Sequence, residues 1–191
     1  MPPEPALPSQ EDPAAALLGL YDRALPQVYG YLVTRCSSTP VAEDLTAETF
    51  LAAVEGIQKG TLTEPSTAWL VGVARHKLVD HWRRLARDER RLASLEGEAG
   101  TEDDDPWDAH LDAAHAREVL AGLGAHHRAA LTLRYVDGLP VSEVADHLGR
   151  TEHATETLLM RAKRAFRRAY GDEAATASGD QREGGTSTDG R

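Results

Sequence analysis

Apolar residues in the first part of the chain recur at steps of three and four, the spacing of one face of an α-helix. The first series consists of Leu17, Leu20, Tyr21, Leu25, Val28 and Leu32. A turn at 38–40 precedes the second series, which consists of Val41, Leu45, Phe50, Leu51 and Val54. After a loop at 59–66 comes the third series, made of Trp69, Leu70, Val73, Leu78 and Trp82. This pattern predicts three helices, with Pro26 ending or kinking the first.

The second part of the chain is also predicted to be helical. Its helical stretches are 111–123, 126–136, 141–148 and 152–170, and a turn of only three residues separates the last two. No segment alternates apolar and polar residues at a period of two, as a half-buried strand requires. The sequence therefore predicts an all-α protein.

Charge distribution separates the predicted folded parts from the rest of the chain. There are 31 acidic and 21 basic residues, which gives a formal net charge of −10. Residues 1–13, 92–110 and 171–191 contain three, seven and five acids against two bases in all. The composition of the lead (1–13) and of the tail (171–191) predicts disorder, and the acidic composition of 92–110 predicts an extended linker. We expect two small, mildly basic helical domains, 14–91 and 111–170, joined by a flexible acidic linker.

Composition and patterning exclude several classes of protein. A single cysteine, Cys36, cannot form an internal disulfide or a cysteine-based zinc cluster. The N-terminal stretch lacks the basic start and apolar core of a signal peptide. The longest apolar runs fall far short of the roughly 18–20 residues that a membrane helix needs. We expect a soluble, cytoplasmic protein with no membrane insertion.

The strongest local motif lies at 141–159. Two short helices separated by a turn that starts at Gly149 predict a helix-turn-helix, whose second helix enters the major groove of DNA. The start of that helix offers Arg150, Thr151, Glu152, His153, Glu156 and Thr157. Its later turns carry bases suited to phosphates, namely Arg161, Lys163, Arg164, Arg167 and Arg168. An ordinary helical hairpin with a basic solvated face stays open as an alternative, because Arg150 and Thr155 stand where apolar residues are commoner.

A second basic stretch, Arg75–Arg91, contains seven bases and three acids. Trp69, His81 and Trp82 lie among these bases, and aromatic rings among cations are typical of surfaces that bind single-stranded nucleic acid. The alternative is a solvated helix end with both tryptophans in the core. For Trp82, the sequence favours neither base stacking nor burial in the core.

Catalytic and metal-binding patterns are weak. His76 and Asp80 lie one helical turn apart, yet no third and fourth ligand follows at a suitable spacing. There is no glycine-rich phosphate loop and no nucleophile elbow. The sequence predicts no catalytic residue, no metal site and no cofactor.

Together the two halves resemble a bacterial RNA polymerase sigma factor of the extracytoplasmic-function (ECF) group of the sigma-70 family. The first half resembles sigma region 2 through the stretches LYDRALPQVYGYL, AEDLTAETFLAAV and AWLVGVARHKLVDHWRR. The second half resembles sigma region 4 through LRYVDGLPVSEVADHLG and MRAKRAFRR. The likeness covers about 140 of the 191 residues, in the family's order.

The resemblance implies a docking site for core RNA polymerase. In the family, the segment like AEDLTAETF binds the clamp helices of the polymerase, and the second domain meets its flap region. The matching residues of this chain are Asp44, Leu45, Glu48 and Phe50, with Leu45 expected to pack beneath the others. Ala47 stands where the family usually has glutamine.

The resemblance also implies contacts with promoter DNA. The loop 61–66 would capture an extruded base of the −10 element, and the following helix would line the opened strand. The residues expected to do so are Trp69, Arg75, His76, Lys77, Asp80, Arg83 and Arg84. The helix-turn-helix would read the −35 element, and the acidic linker would thread the polymerase. The family further implies an anti-sigma factor as a regulatory partner.

Two other functions stay open at this point. A stand-alone helix-turn-helix regulator would explain 111–170 but leaves the first domain without a role. A polymerase-binding decoy that does not initiate transcription would explain the departures at Ala47, Arg150 and Glu156. The leading expectation is a non-enzymatic sigma factor that acts within the polymerase holoenzyme.

Overall fold

A computed structural model describes residues 12–36, 38–92 and 112–179 of the chain. These ranges contain helices and no strand, which confirms the predicted all-α fold. The predicted linker lies outside the described residues except for Leu92. Residues 1–11 of the predicted lead and 180–191 of the predicted tail lie outside them as well.

The described ranges hold seven α-helices and one π-helical segment. The α-helices are α1 (Pro13–Val33), α2 (Thr39–Gln58), α3 (Thr67–Leu92), α4 (Ala113–Gly122), α5 (Ala125–Leu131), α6 (Val141–Leu148) and α7 (Glu152–Gly179). The π-helical segment, Thr132–Val136, continues directly from α5. By packing, the chain divides into a first unit, Met1–Leu78, and a second unit, Val79–Arg191. This division falls within α3, and the domain limits 14–91 and 111–170 stay a prediction.

Helix α1 does not end at Pro26, which is exposed, but runs on to Val33. Proline removes one backbone hydrogen bond of the helix. Ala24 before the proline and Val28 and Leu32 after it are all buried, so both parts of the helix pack into the core. Tertiary packing therefore outweighs the local cost of the proline.

The predicted turn at 38–40 is instead the start of α2. The Ser38 hydroxyl accepts a hydrogen bond from the Val41 amide at 3.4 Å, and Pro40 lies in the first turn of the helix. Proline suits this position because the first amides of a helix have no partner within it. The predicted loop at 59–66 matches the interval between α2 and α3.

In the first unit, α1 packs against α2. The buried residues are Leu17, Ala24, Val28, Leu32, Ala42, Leu45, Ala53, Leu62, Leu70, Ala74 and Leu78. Two threonines are buried with them, and each hydroxyl donates at 2.7 Å to a carbonyl one turn earlier, Thr46 to Ala42 and Thr49 to Leu45. Satisfying both hydroxyls in this way removes most of the cost of burying them.

In the second unit, α7 packs against α4, α5 and α6. One apolar cluster contains Val119, Leu123, Leu131, Ala162 and Phe166, and another contains Ala130, Leu158 and Leu159. The second half of α3 buries Trp82, which is only 1% exposed. Trp82 is thus a core residue, and the base-stacking interpretation of this side chain is wrong.

The turn of the helix-turn-helix has a well-defined hydrogen-bond pattern. The Gly149 amide donates to the Asp146 carbonyl at 3.1 Å, and the Arg150 amide donates to the Ala145 carbonyl at 3.0 Å. Gly149 has φ 62° and ψ 44°, the left-handed conformation that this kind of helix end requires. Val144 and Ala145 are buried beneath the turn. The predicted helix-turn-helix at 141–159 is therefore present.

Three predicted boundaries differ from the structure. The last two residues of the predicted lead 1–13 belong to the start of α1. The Asp12 carboxylate accepts a hydrogen bond from the Ala14 amide at 3.1 Å, and Pro13 begins the helix. The helix expected over 126–136 becomes π-helical from Thr132. The last helix runs to Gly179 instead of Tyr170, so 171–179 are helical. Alanines in that stretch favour a helix even without an apolar face.

Helix α4 begins with a side-chain cap. One oxygen of Asp112 accepts hydrogen bonds from the His115 amide at 2.8 Å and the Ala114 amide at 3.0 Å. The bond from His115 is the main reason why the pKa of Asp112 lies below its ordinary value. The charge also interacts favourably with the positive end of the helix.

Candidate functional site

The exposed side of α2 carries two of the predicted polymerase-binding acids. Asp44 and Glu48 lie four residues apart, so their side chains are neighbours on the helix surface. Asp44 is exposed, whereas Glu48 is partly exposed and lies 3.3 Å from the Lys77 ammonium. Ion pairs this open to water are weak, and Glu48 can leave Lys77 for a partner at little cost.

An apolar groove runs between α1 and α2 beside these acids. Its volume is about 510 Å³, and it is lined by Tyr21, Leu25, Pro26, Tyr29, Glu43, Thr46, Ala47 and Phe50. The rings of Tyr21 and Phe50 meet with centroids 4.9 Å apart. On the same helix as Phe50, Leu51 is 57% and Val54 40% exposed. The exposed side of α2 therefore combines acidic and apolar groups, a surface suited to another protein.

The four predicted polymerase-binding residues do not have equal access to a partner. Leu45 is only 2% exposed and lies beneath the surface, as expected, so it can support the site but cannot reach across an interface. Phe50 lines the groove. The sequence pattern assigned Tyr21 to the buried face of α1, yet Tyr21 is 42% exposed and lines the groove too. This groove was missed because α1 and α2 form it only when packed.

Helix α3 arranges most of the predicted −10 residues along one side. Trp69 and His76 lie seven residues apart, as do Lys77 and Arg84, and seven residues are close to two full turns. Trp69 is 37% exposed, and His76 and Arg84 are exposed as well. Arg75 is partly buried and points about a third of a turn away from His76. The helix therefore presents an aromatic and several cations on a shared face, with Arg75 outside it.

The loop before α3 is anchored at both ends. Leu62 is buried, and the Thr61 hydroxyl donates to the Gly56 carbonyl at 3.1 Å. Gly60 has φ 69°, a conformation in which glycine is favoured. At the other end, the Ser66 hydroxyl accepts from the Trp69 amide at 3.2 Å.

Asp80 and Arg83, the remaining two predicted −10 residues, have partners within the second unit. They form an ion pair at 3.3 Å. The other terminal nitrogen of Arg83 donates to the carbonyl of His147, at the end of α6. Arg83 is therefore partly buried and engaged by the helix-turn-helix.

The predicted −35 residues lie in the turn before α7 and along the first half of that helix. Thr151 caps the helix, since its hydroxyl accepts from the Ala154 amide at 3.2 Å. The exposed members are Arg150, Thr151, Glu152, His153, Glu156, Arg161 and Lys163, and the partly buried ones are Thr157 and Arg164. Thr155 is buried, and its hydroxyl donates to the Thr151 carbonyl at 3.0 Å, which makes a polar residue acceptable there.

The apolar pattern of the sequence did not predict that three apolar side chains of the second unit are exposed. Met160, 44% exposed, lies on the same side of α7 as His153 and Arg164. Tyr135 and Val136 are 58% and 51% exposed at the end of the π-helical segment. No local pattern distinguishes them from core residues, because an apolar residue in a helix is usually buried.

Other kinds of site receive no support from the described residues. Residues 12–36, 38–92 and 112–179 contain no group of three or more histidine, cysteine or acidic side chains that could hold a metal ion. Within the same ranges, every helix is too short or too polar to span a membrane.

Two family models match the chain. Residues 20–88 match sigma-70 region 2, and residues 116–166 match sigma-70 region 4. The order agrees with the two halves recognised in the sequence. The first match covers α2 and most of α3, and the second covers the helix-turn-helix.

Curated relatives point to the same family. The ECF RNA polymerase sigma factor BldN of Streptomyces coelicolor is 35% identical over 87% of this chain, which spans 64% of the length of BldN. The ECF sigma factor SigL of Mycobacterium tuberculosis is 32% identical, over 81% of this chain and 88% of SigL. SigF of Caulobacter vibrioides is 35% identical, over 79% of this chain and 80% of SigF. The chain belongs to the ECF sigma factors of the sigma-70 family.

Proposed function

We propose that this chain binds core RNA polymerase and directs it to promoters that it recognises at the −10 and −35 elements. The observation that carries the proposal is the pairing of two unlike surfaces in one chain. One is the acidic and apolar side of α2, within the region 2 match. The other is the basic exposed side of α7, within the region 4 match.

The polymerase contact is assigned to α2 and the groove beside it. Asp44 and Glu48 offer negative charge to the clamp helices, and Phe50 and Tyr21 offer apolar area next to them. Charges steer the encounter and fix its orientation, while the buried apolar centre supplies much of the affinity. Leu45 holds α2 in place from beneath.

The −10 contact is assigned to the exposed side of α3 and the loop before it. Promoter melting needs a surface that holds unstacked bases and neutralises phosphates. Trp69 offers a partly exposed ring, and Lys77 and Arg84 offer cations on the same side of the helix. Arg75, His76, Asp80 and Arg83 complete the predicted set.

The −35 contact is assigned to α7. Its first two turns carry polar side chains that can reach base edges in the major groove, among them Glu152, His153 and Glu156. Arg161, Lys163 and Arg164 follow within the next turns and suit phosphates, which give affinity without reading sequence. The region 4 surface outside α7 is left for the flap region of the polymerase.

The proposal includes no enzymatic activity and places the protein in the cytoplasm, where bacterial RNA polymerase acts. An anti-sigma factor is retained as a partner because family membership implies one. A stand-alone regulator is less favoured, since the region 2 match and the acidic side of α2 would then have no use. A decoy remains a distinct outcome of the experiment below.

Reconstitution with core RNA polymerase tests the proposal. The chain and core enzyme would be incubated with a pool of random-sequence promoter DNA, and transcript starts would be sequenced beside a control without the chain. We expect starts preceded by two shared elements at a fixed spacing. Binding to core without specific starts would indicate the decoy. Absence of any association with core would contradict the proposal and favour the stand-alone regulator.

A further inference from the structure

The first turns of α7 carry acids where a DNA-binding surface would be expected to carry cations. Residues 152–160 contain no lysine or arginine, and their charged side chains are Glu152, Glu156 and, when protonated, His153. The basic residues of the helix begin at Arg161. The start of α7 therefore differs in charge from the part of the helix that follows it.

Most other polar side chains near the start of α7 are used within the second unit. Thr151 caps the helix, and Thr155 is buried. The Thr157 hydroxyl donates to the carbonyl of His153 at 3.1 Å. Arg150, in the turn before the helix, lines a cleft of about 180 Å³ together with apolar side chains of α6 and α7. The two glutamates and the histidine are therefore the side chains best placed to meet base edges.

The charge of Glu156 is not explained by folding. Glu152 stands one turn before it, and like charges at this spacing destabilise a helix. Glu152 lies in the first turn, where the helix dipole favours an acid, whereas Glu156 lies beyond that turn. The Nδ1 atom of His153 is 4.0 Å from the Glu156 carboxylate, but the two side chains are 93% and 63% exposed, so this contact is weak. A carboxylate that the helix does not need is a candidate for a role in binding.

Glu156 also lies in the middle of the exposed side of α7. His153 precedes it by three residues, and Met160 and Lys163 follow it by four and seven, spacings that place all four on one side of the helix. Met160 is 44% exposed, so an apolar surface borders the carboxylate. A hydrogen bond made beside apolar surface is less weakened by water than one made in the open.

The chemistry of the major groove selects one base for such a carboxylate. An ionised carboxylate can only accept hydrogen bonds. Guanine, adenine and thymine each present at least one acceptor on the major-groove edge, whereas cytosine presents its 4-amino donor and no acceptor. A glutamate on the exposed side of the recognition helix is therefore satisfied by cytosine and faces at least one acceptor on any other base.

We infer that Glu156 selects a cytosine of the −35 element by accepting a hydrogen bond from its 4-amino group. The inference rests on the proposed function, because it specifies a base that the −35 surface of α7 recognises. Lys163 and Arg164 lie about two turns further along the helix and hold the phosphates, which offsets the repulsion between the carboxylate and DNA. Glu156 acts as much by rejecting the other bases as by binding cytosine.

The test removes the amino group from the DNA and the carboxylate from the protein. Holoenzyme with the unmodified chain first selects −35 elements from a randomised pool. Each cytosine of the recovered element, on either strand, is then replaced in turn by 2-pyrimidinone, which has hydrogen in place of the 4-amino group. Affinities are measured for holoenzymes with the unmodified chain, Glu156→Ala and Asp88→Ala. Asp88 is an exposed acid outside the region 4 match, so this control loses the same charge elsewhere.

At one cytosine, we expect the analogue to weaken binding about tenfold for the unmodified chain and for Asp88→Ala, but about twofold or less for Glu156→Ala. The analogue also loses one pairing bond with guanine. That loss is common to the three proteins, so the difference between them reports the Glu156 contact. Alanine favours a helix, and circular dichroism verifies that both variants keep the fold.

Two results would overturn the inference and leave −35 recognition intact. One is an equal effect of the analogue on the three proteins at every cytosine. The other is a recovered element that contains no cytosine on either strand. If holoenzyme with the unmodified chain selected no −35 element, the proposed −35 role of α7 would be contradicted together with the inference.

Discussion

Helices α2 and α7 both bury an apolar side, but their exposed sides carry opposite charge. Each buries an apolar side in its own unit, Leu45 and Ala53 on α2, and Leu158 and Phe166 on α7. The exposed side of α2 is acidic and apolar beside a groove. The exposed side of α7 is polar at its start and basic beyond it. The buried sides explain why both segments fold as helices, and only the exposed sides indicate which class of partner each one binds.

The largest effect should follow from reversing the charge of α2. In the double variant Asp44→Lys and Glu48→Lys, cations replace the two acids that are proposed to contact the clamp helices. Like charges across an interface cost several kcal/mol, so affinity for core polymerase should fall about 100-fold or more. Size-exclusion co-elution and a titration against labelled core would measure the loss.

A matched control places the same charges elsewhere. Glu64→Lys with Asp88→Lys changes two exposed acids that lie outside α2 and outside the region 4 match. This control should bind core like the unmodified chain, and the α2 variant should retain its circular dichroism spectrum. Co-elution of the Asp44 and Glu48 variant with core at normal affinity would show that the docking assignment is wrong.

The next effect concerns α7 and should leave core binding unchanged. Replacing Arg161, Lys163 and Arg164 by alanine removes three candidate phosphate contacts. Each contact contributes about 0.9 to the slope of log affinity against log salt, so the slope should fall by about three. Between about 50 and about 200 mM salt, the holoenzyme with the unmodified chain should therefore lose about 40-fold more affinity than the variant. An unchanged slope would mean that these side chains do not meet phosphates.

Two glycine substitutions should change stability in opposite directions, one in the turn of the second unit and one in a helix of the first unit. Gly149→Ala forces a side chain into a left-handed conformation and should cost about 1–2 kcal/mol of stability. Gly72→Ala, in the middle of α3 with open space around its Cβ position, should instead stabilise by about 0.5–1 kcal/mol. Urea unfolding of both variants measures the two signs. A neutral Gly149→Ala would contradict the described turn.

The smallest effect is a pH dependence at the start of α4. Because the folded-state pKa of Asp112 lies below its ordinary value of 3.8, the ionised carboxylate stabilises the folded state. This contribution is fully present above about pH 3.8 and is lost as the pH falls through the lower folded-state pKa. The difference in unfolding midpoint between the unmodified chain and Asp112→Asn should shrink over that range. If the difference in unfolding midpoint stayed constant down to pH 2, hydrogen bonding alone, and not the carboxylate charge, would account for it.

Features encoded by neighbouring residues were predictable from the sequence. The bounds of α6, the start of α7 and the turn at Gly149 follow from local apolar spacing and one glycine. The buried position of Leu45 followed from the same spacing. Family resemblance supplied the expected roles of the site residues, which apolar spacing alone does not contain.

Features that depend on packing were not predictable. Helical spacing could not decide whether Trp82 faced the core or solvent, because an aromatic ring among cations fits both. The groove beside Phe50 needs Tyr21 from another helix. The contacts of Arg83 with His147 and of Glu89 with Ala125 join positions far apart in the chain. No local pattern encodes such pairs, since each depends on how the helices pack.

Site-specific cross-linking tests the central claim that α2 binds protein and α7 binds DNA. A benzophenone amino acid would be placed at Ala47, which lines the groove, and in a second protein at exposed Met160 on α7. Each protein would be assembled with core polymerase on a promoter recovered from the random pool, and irradiated. We predict that position 47 joins a polymerase subunit and that position 160 joins promoter DNA. Cross-links from position 47 to DNA, or from position 160 to polymerase alone, would contradict the account.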